Sequence, residues 1–301
     1  MATSPRPGVS SVASSQTQQA PRRSVFQTLS LTNQVAVITG GARGIGLEIA
    51  QAFAEAGAVV YCLDLPEKPN EEFVKVSQWV ESLPDLPAEL ILSSEKDGRK
   101  KGRLVYARAD VTDQMEMWRK LEKIYEVEGR VDVCVANAGI LGGKDCLDYP
   151  AEEWEQIIKV NVDGAFYTAQ AAARQMKKHD RGGSIIFTAS MSGSISNQGQ
   201  SWSAYTTSKA AVVQMARSMA CELGKDKIRV NSVSPGYIYT EMTKQFLLKN
   251  PETQARWSSQ NPLGRIGFPD ELRSVYLWLA GNGSSFCTGS DILVDGGHRA
   301  W

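Results

Sequence analysis

TGGARGIG, residues 39–46, stands between the apolar run VAVI (35–38) and the segment LEIAQAFAEAG (47–57), whose apolar residues recur at helical spacing. A β-branched apolar run, a glycine-rich turn and an amphipathic helix in that order read as strand, tight turn and helix start. Gly40, Gly44 and Gly46 let a backbone turn sharply and let a pyrophosphate approach N–H groups at the first turn of the helix, with Arg43 and Ile45 carried in the same turn. The spacing is GxxxGxG rather than the GxGxxG of the commonest dinucleotide fingerprint, and an isolated turn of this kind also reads as ordinary glycine punctuation.

Outward from this turn the same alternation continues. VVYCLD, LVYARAD, VDVCVANAG, SIIFTAS, IRVNSVSPG and DILVDGG are short apolar runs separated by segments of helical period. Strands that alternate with helices imply right-handed crossovers and a parallel sheet covered on both faces. The expectation is an α/β fold with a doubly wound parallel sheet of about seven strands, forming one domain over residues 31–301. Residues 1–30 are expected to form a disordered tail. The connection from Pro66 to Gly102 is long, contains the helical piece NEEFVKVSQWVESL, and ends in the basic run KDGRKKGR (96–103), which reads as a solvated loop tip.

Composition narrows the partners. Thirty-three basic residues balance thirty-three acidic ones in 301 residues, so the broad positive field of a nucleic-acid or anionic-membrane binder is absent and a small-molecule ligand is expected. No apolar run reaches the roughly 18 residues that span a bilayer. The five cysteines are scattered and never form a CxxC pair, which suits a reducing compartment, and with only two histidines no metal site is expected. These features point to the cytoplasm. The first 28 residues contain Arg6, Arg22 and Arg23 and no acid, which partly matches a mitochondrial transit peptide, but they lack an amphipathic helical pattern.

Three further positions fall where strands of such a sheet end, the edge at which α/β folds bind ligands. Asp64 follows the second strand at the distance of an acid that hydrogen-bonds an adenosine ribose diol, which favours NAD(H) over NADP(H). Arg43 argues the other way, as a guanidinium able to pair a 2′-phosphate. Asp110 ends the third strand, as an acceptor for an adenine amino group or as a helix N-cap in DVTDQ. Asn137 and Gly139 belong to an NAG turn after the fourth strand that lets the backbone pass close to a cofactor.

Tyr205 and Lys209, four residues apart in SAYTTSKAA, supply the reactive group. Helical spacing puts them on one face. Free tyrosine titrates near ~10, too high for a base at neutral pH, and a neighbouring ammonium stabilises its phenolate. Alone, the pair also reads as a packed tyrosine beside a solvated lysine.

Taken together, TGGARGIG, Asp110, NAG, an asparagine in the following helix, a serine after the fifth strand, YxxxK and PGYIYT occur in an order that resembles the short-chain dehydrogenase/reductase family over residues 31–301. The resemblance implies a Rossmann-like oxidoreductase that interconverts a secondary alcohol and a ketone. In it, Tyr205 is the general acid/base, Lys209 binds the nicotinamide ribose and lowers the tyrosine pKa, and Asn161 in KVNVDG holds a water in a proton relay. It implies a substrate-orienting serine, which is Ser190 when the strand is matched without a gap and Ser192 by the thirteen-residue spacing to Tyr205. Ser190 is the choice, because the loop SISNQGQSWS absorbs two extra residues more easily than a strand slips. Pro235, Ile238 and Thr240 of PGYIYT are implied to lie beside the nicotinamide, and a homotetramer is implied, with Val212, Met215, Met219 and Ala220 serving either an interface or the core.

Within the family, CLDLPEKP, ASMSGSISNQ and the ending DGGHRAW look most like the fungal arabinitol, mannitol and sorbose enzymes. Asn197, Gln198, Gln200, Trp202, Trp257, Gln260 and Asn261 are candidates to line the pocket, where several amides suit a polyhydroxylated substrate. They also read as amides that face water. A carbonyl reductase of secondary metabolism is the alternative, and a cofactor-sensing regulator without turnover a remote one.

Overall fold

A computed structural model describes residues 24–91 and 101–301. Its centre is β1 (Val35–Thr39), flanked on one side by β2 (Val59–Asp64) and β3 (Arg103–Arg108), and on the other by β4 (Val133–Ala136), β5 (Gly183–Thr188), β6 (Ile228–Pro235) and β7 (Asp291–Val294). Every pairing is parallel, in the order β3-β2-β1-β4-β5-β6-β7. The chain therefore reverses its winding between β1 and β4, and the crevice over their carboxyl ends is where ligands bind in such sheets.

All five residues of β1 are buried, as a strand covered on both faces requires. Successive side chains alternate between two cores: Val35 and Val37 join Cys134, Ile185 and Phe187 on one face, whereas Ala36 and Ile38 join Val135, Ile186 and Phe53 on the other. The first face is covered by α3 (Gln114–Glu128), α5 (Gly164–Lys178) and α6 (Ser203–Leu223), the second by α1 (Gly44–Glu55), α2 (Glu71–Ser82) and α9 (Arg273–Ala280). Val212, Met219 and Ala220 are buried in the first core with Met215 packed against it, so these α6 residues serve the chain's own interior.

The long β2–β3 connection holds α2, which begins where the Asn70 side chain accepts the Phe73 N–H at 2.8 Å. Residues 96–100 of the basic run lie outside the described residues, as do residues 1–23 of the expected tail. Phe26–Leu29 form a 3-10 turn and Leu31 is fully buried, so the chain joins the domain before residue 31. The helical stretch after β6 is two helices, α7 (Glu241–Lys249) and α8 (Pro251–Ser259), separated at Asn250 because Pro251 has no N–H to continue the first. Between β4 and α5, α4 (Ala151–Ile158) passes through a π turn at Lys159–Asp163. No helix among the described residues is long and apolar enough to cross a membrane.

Candidate active site

The glycine turn is shaped by close approach. Gly40 and Gly44 have φ of +62° and +54°, in the left-handed region that favours glycine. A β-carbon on Gly46 would lie 2.1 Å from the Gly40 carbonyl oxygen, so only glycine lets α1 start this close to β1. A β-carbon on Gly44 would have only the Thr240 methyl group near it, at 4.0 Å, so this part of the turn faces open space.

That space is a cleft of about 1190 Å³ over the carboxyl ends of the strands. Gly40, Arg43, Gly44, Ile45, Gly46, Asp64, Asp110, Asn137, Gly139, Ser190, Tyr205, Lys209, Pro235, Ile238 and Thr240 all border it. Fifteen positions scattered over two hundred residues thus meet along one sheet edge. Asn161 does not border the cleft and sits one layer behind it.

Several of these side chains build the cleft wall by bonding each other. Asn137 donates through Nδ2 to the carbonyls of Thr39 (3.0 Å) and Gly40 (3.2 Å), fastening the NAG turn to the glycine turn. Thr39, which the sequence reading passed over, accepts the N–H groups of Asn137 and Ala138 on its hydroxyl. Asp64 accepts the Ala42 N–H on Oδ2 and the Leu65 N–H on Oδ1, so its carboxylate is held at the rim next to the exposed Arg43. The helix cap in DVTDQ is Asp113, which accepts the Glu116 N–H at 2.9 Å. Asp110 instead accepts the N–H and hydroxyl of Thr112. Burial pushes the Asp110 carboxyl up, but the two Thr112 bonds, with Arg108 and Lys159 nearby, outweigh it and hold the group below the ordinary aspartate value. The Thr240 hydroxyl caps α7 by accepting the Thr243 N–H, and Ile238 pairs with Gly267.

At the reactive end, Tyr205 and Lys209 lie one turn apart on α6, with the Lys209 nitrogen 5.7 Å from the tyrosine ring centre. Burial pushes the Tyr205 phenol up, and its hydrogen bond with Ser190 acts in the opposite direction. Ser190 is thus the serine beside the tyrosine; its hydroxyl also accepts the Ser192 N–H at 3.2 Å, which begins the turn Met191–Gly193. Lys209 donates to the Thr188 carbonyl at 2.8 Å, and burial lowers its ammonium from 10.5 to about 8. Thr188 was missed from sequence, although it ends the strand two residues before Ser190. Its hydroxyl pairs at 2.8 Å with that of Tyr276, which is fully buried on α9.

Asn161 is committed on all sides. Its Oδ1 accepts the Ile140 N–H (2.8 Å), and its Nδ2 donates to the Ile140 carbonyl (2.9 Å) and to the Ser208 hydroxyl (3.0 Å). It ties the β4–α4 loop to α6 one residue before Lys209.

The amide-rich pocket expected from sequence does not form at the cleft. Asn197 donates to the Tyr237 hydroxyl, Gln260 bonds Gln198, and Asn261 bonds the Arg265 carbonyl and His298. Trp257 is buried, stacked on Tyr237 with ring centres 4.0 Å apart. Trp202 makes an edge contact with Tyr205 on one side and with Trp257 on the other. These groups form a separate apolar cluster with Met191, Leu247 and Ile266. The cleft itself is bordered by Ile140, Leu141, Gln156, Val160, Tyr239 and Glu241.

Similarity to known proteins agrees with this arrangement. A family model described as enoyl-(acyl carrier protein) reductase matches residues 40–299. Sorbose reductase of Schizosaccharomyces pombe is 41% identical over 270 residues, which are 89% of this chain and 97% of that protein. A probable NADP-dependent mannitol dehydrogenase of Yarrowia lipolytica is 36% identical over 278 residues, 92% of this chain and 91% of that one. The crystal structure of a short-chain dehydrogenase/reductase from Mycobacterium marinum superposes with a TM-score of 0.80 at 41% identity, covering 92% of this chain and all of that one. With its parallel sheet, glycine turn and tyrosine–lysine helix, the chain belongs to the short-chain dehydrogenase/reductase family, NAD(P)-dependent oxidoreductases acting on secondary alcohols.

Proposed function

We propose that the enzyme interconverts a sugar alcohol and a ketose, with Tyr205, Ser190, Lys209 and Asn161 as its working residues. The observation that carries the reaction class is the alignment of Ser190, Tyr205 and Lys209 along one wall of the cleft. For the substrate class, the support is the extent of similarity to sorbose reductase and mannitol dehydrogenase.

The residues present fit a dinucleotide. Gly44 faces open space, Gly46 lets the helix start approach, and Gly139 has no side chain at a point where a β-carbon would lie 3.3 Å from Asn161 Oδ1 and 3.5 Å from Lys209 Nζ. When bound, the cofactor supplies or accepts the hydride. Tyr205 gives its phenolic proton to the carbonyl oxygen in reduction and takes the hydroxyl proton in oxidation. Ser190, which borders the same cleft as that phenol, holds the substrate oxygen beside it. The Lys209 charge favours the phenolate during oxidation. Both N–H groups of the Asn161 amide are taken by Ile140 and Ser208 and its oxygen accepts the Ile140 N–H, so it acts by fixing the loop and helix that present Ile140 and Lys209.

NAD(H) is the proposed cofactor, because the Asp64 carboxylate, held by two backbone amides, would face and repel a 2′-phosphate. Arg43 beside it is the group that would favour NADP(H). The second reading, a carbonyl reductase for apolar ketones, is favoured by the apolar cleft residues Ile140, Leu141 and Val160.

Initial rates with xylulose, ribulose, fructose and sorbose, set beside apolar ketones, test this with NADH and NADPH in parallel. Tyrosine-dependent ketose reduction with NADH is the expected result. Turnover confined to apolar ketones would replace the polyol reading, and faster turnover with NADPH would reverse the cofactor assignment.

A further inference from the structure

Two stretches resembling the fungal polyol enzymes, ASMSGSISNQ and DGGHRAW, lie a hundred residues apart in sequence and meet in space. Arg299 donates to the Ser194 hydroxyl at 3.0 Å. His298 stands edge-on to the Tyr237 ring, 5.3 Å between centres, and the Tyr237 hydroxyl accepts from Asn197 at 3.0 Å. His298 Nδ1 also bonds Asn261 Oδ1 at 2.8 Å, while Asn261 Nδ2 is spent on the Arg265 carbonyl. The free acceptor on Asn261 makes His298 Nδ1–H the donor. Just before it, the Leu263 N–H donates to the Gly296 carbonyl, and a β-carbon on Gly297 would lie 2.7 Å from Pro262.

Each segment held by this tail runs directly into the cleft wall. Ser194 and Asn197 follow Ser190; Tyr237 lies between Gly236 and Ile238; and Asn261 closes the two-helix segment that starts at Thr240 and Glu241. The dinucleotide half, around β1 and α1, receives none of the contacts just described.

We propose that Asp295–Arg299 is a latch that positions the substrate-side wall of the cleft, with His298 as its key positioning residue. The inference rests on reading the cleft as an oxidoreductase site. It predicts an effect that is larger on one side of that cleft. Within the 295–299 segment Arg299 holds the loop at Ser194, while His298 holds the helix pair at Asn261 and the strand end at Tyr237, which itself accepts from Asn197. Removing the His298 ring therefore loosens the helix pair and strand end directly and the loop through Asn197, and leaves the glycine turn in place.

The test compares the full-length protein with His298→Ala and His298→Asn, whose amide keeps an N–H donor near the Nδ1 position. His298→Ala raises KM for the carbonyl substrate about three- to tenfold, the value of one hydrogen bond, and raises dinucleotide KM by a smaller factor through Ile238 and Thr240. His298→Asn recovers most of that loss. Hydrogen exchange on the free protein gives a readout independent of turnover: residues 194–200 and 241–263 exchange faster in His298→Ala, and residues 35–57 do not. Unchanged exchange in the first two segments, or an equal rise of both KM values, overturns the latch. If the wild type reduces no ketone, the oxidoreductase reading fails, and the exchange experiment still decides whether the latch holds these walls.

Discussion

The Lys209 nitrogen lies 5.7 Å from the centre of the Tyr205 ring, with Lys209 buried and Tyr205 half-buried at the wall of the cleft. Burial acts on the two in opposite directions, since in each case it disfavours the charged form: the phenol is pushed up and the ammonium down. The tyrosine therefore starts as an acid, poised to give a proton.

Tyr205→Phe removes the proton donor and keeps the ring. Turnover should fall about 10²- to 10⁴-fold, the usual contribution of a general acid–base. Dinucleotide affinity, measured by fluorescence titration, should stay within a few-fold of wild type; a loss of affinity equal to the loss of rate would assign the residue a binding role instead.

Lys209→Met should abolish activity and stabilise the fold near neutral pH. With a folded-state value of about 8 against 10.5, the lysine holds its proton less well folded than unfolded. Below about pH 8 both states are protonated and the buried charge destabilises the native chain. Between about 8 and 10.5 the unfolded chain binds more protons, so this group makes stability rise with pH. Methionine removes that burden at the cost of leaving the Thr188 carbonyl without its donor. The variant should gain about 1–3 kcal/mol at pH 7 in denaturant unfolding, shrinking towards pH 10. A gain that grows with pH would show that the charge is not what burial opposes.

Gly46→Ala and Gly44→Ala should differ. At Gly46 the new methyl group would meet the Gly40 carbonyl at 2.1 Å and Asn137 Nδ2 at 2.7 Å, so α1 must move away from β1. At Gly44 there is room, and the cost is the positive φ alone, roughly 1–2 kcal/mol. Melting temperature and dinucleotide affinity should both fall further for Gly46→Ala; equal effects would mean that α1 shifts without resistance.

Tyr276→Phe tests the hydroxyl pair behind Lys209. Removing the Thr188 partner should lower stability by about 1–2 kcal/mol, because Thr188 is nearly buried. In a double-mutant cycle, adding Thr188→Val to Tyr276→Phe should cost less than the sum of the single changes. Strict additivity would show the two hydroxyls to be independent.

The alternation of apolar strands with helical segments placed all seven strands, because a strand buried on both faces leaves a run such as VAVIT that no other environment favours. Equally local were the glycine turn and the helical pairing of Tyr205 with Lys209, each written within a few residues. What the tertiary structure alone decided were choices between partners distant in sequence. Ser190 borders the cleft with Tyr205 whereas Ser192, inside the turn Met191–Gly193, does not. The Asn137 amide is taken by the glycine turn 97 residues earlier, and Arg299 reaches Ser194 across 105 residues. The amides of Asn197 and Asn261, which look in sequence like a sugar-binding set, are held by Tyr237 and His298. A side chain's type states what bonds it can make, and periodicity states which face it occupies. Which acceptor it meets depends on how strands and loops remote in sequence are brought together, and only the folded chain determines that.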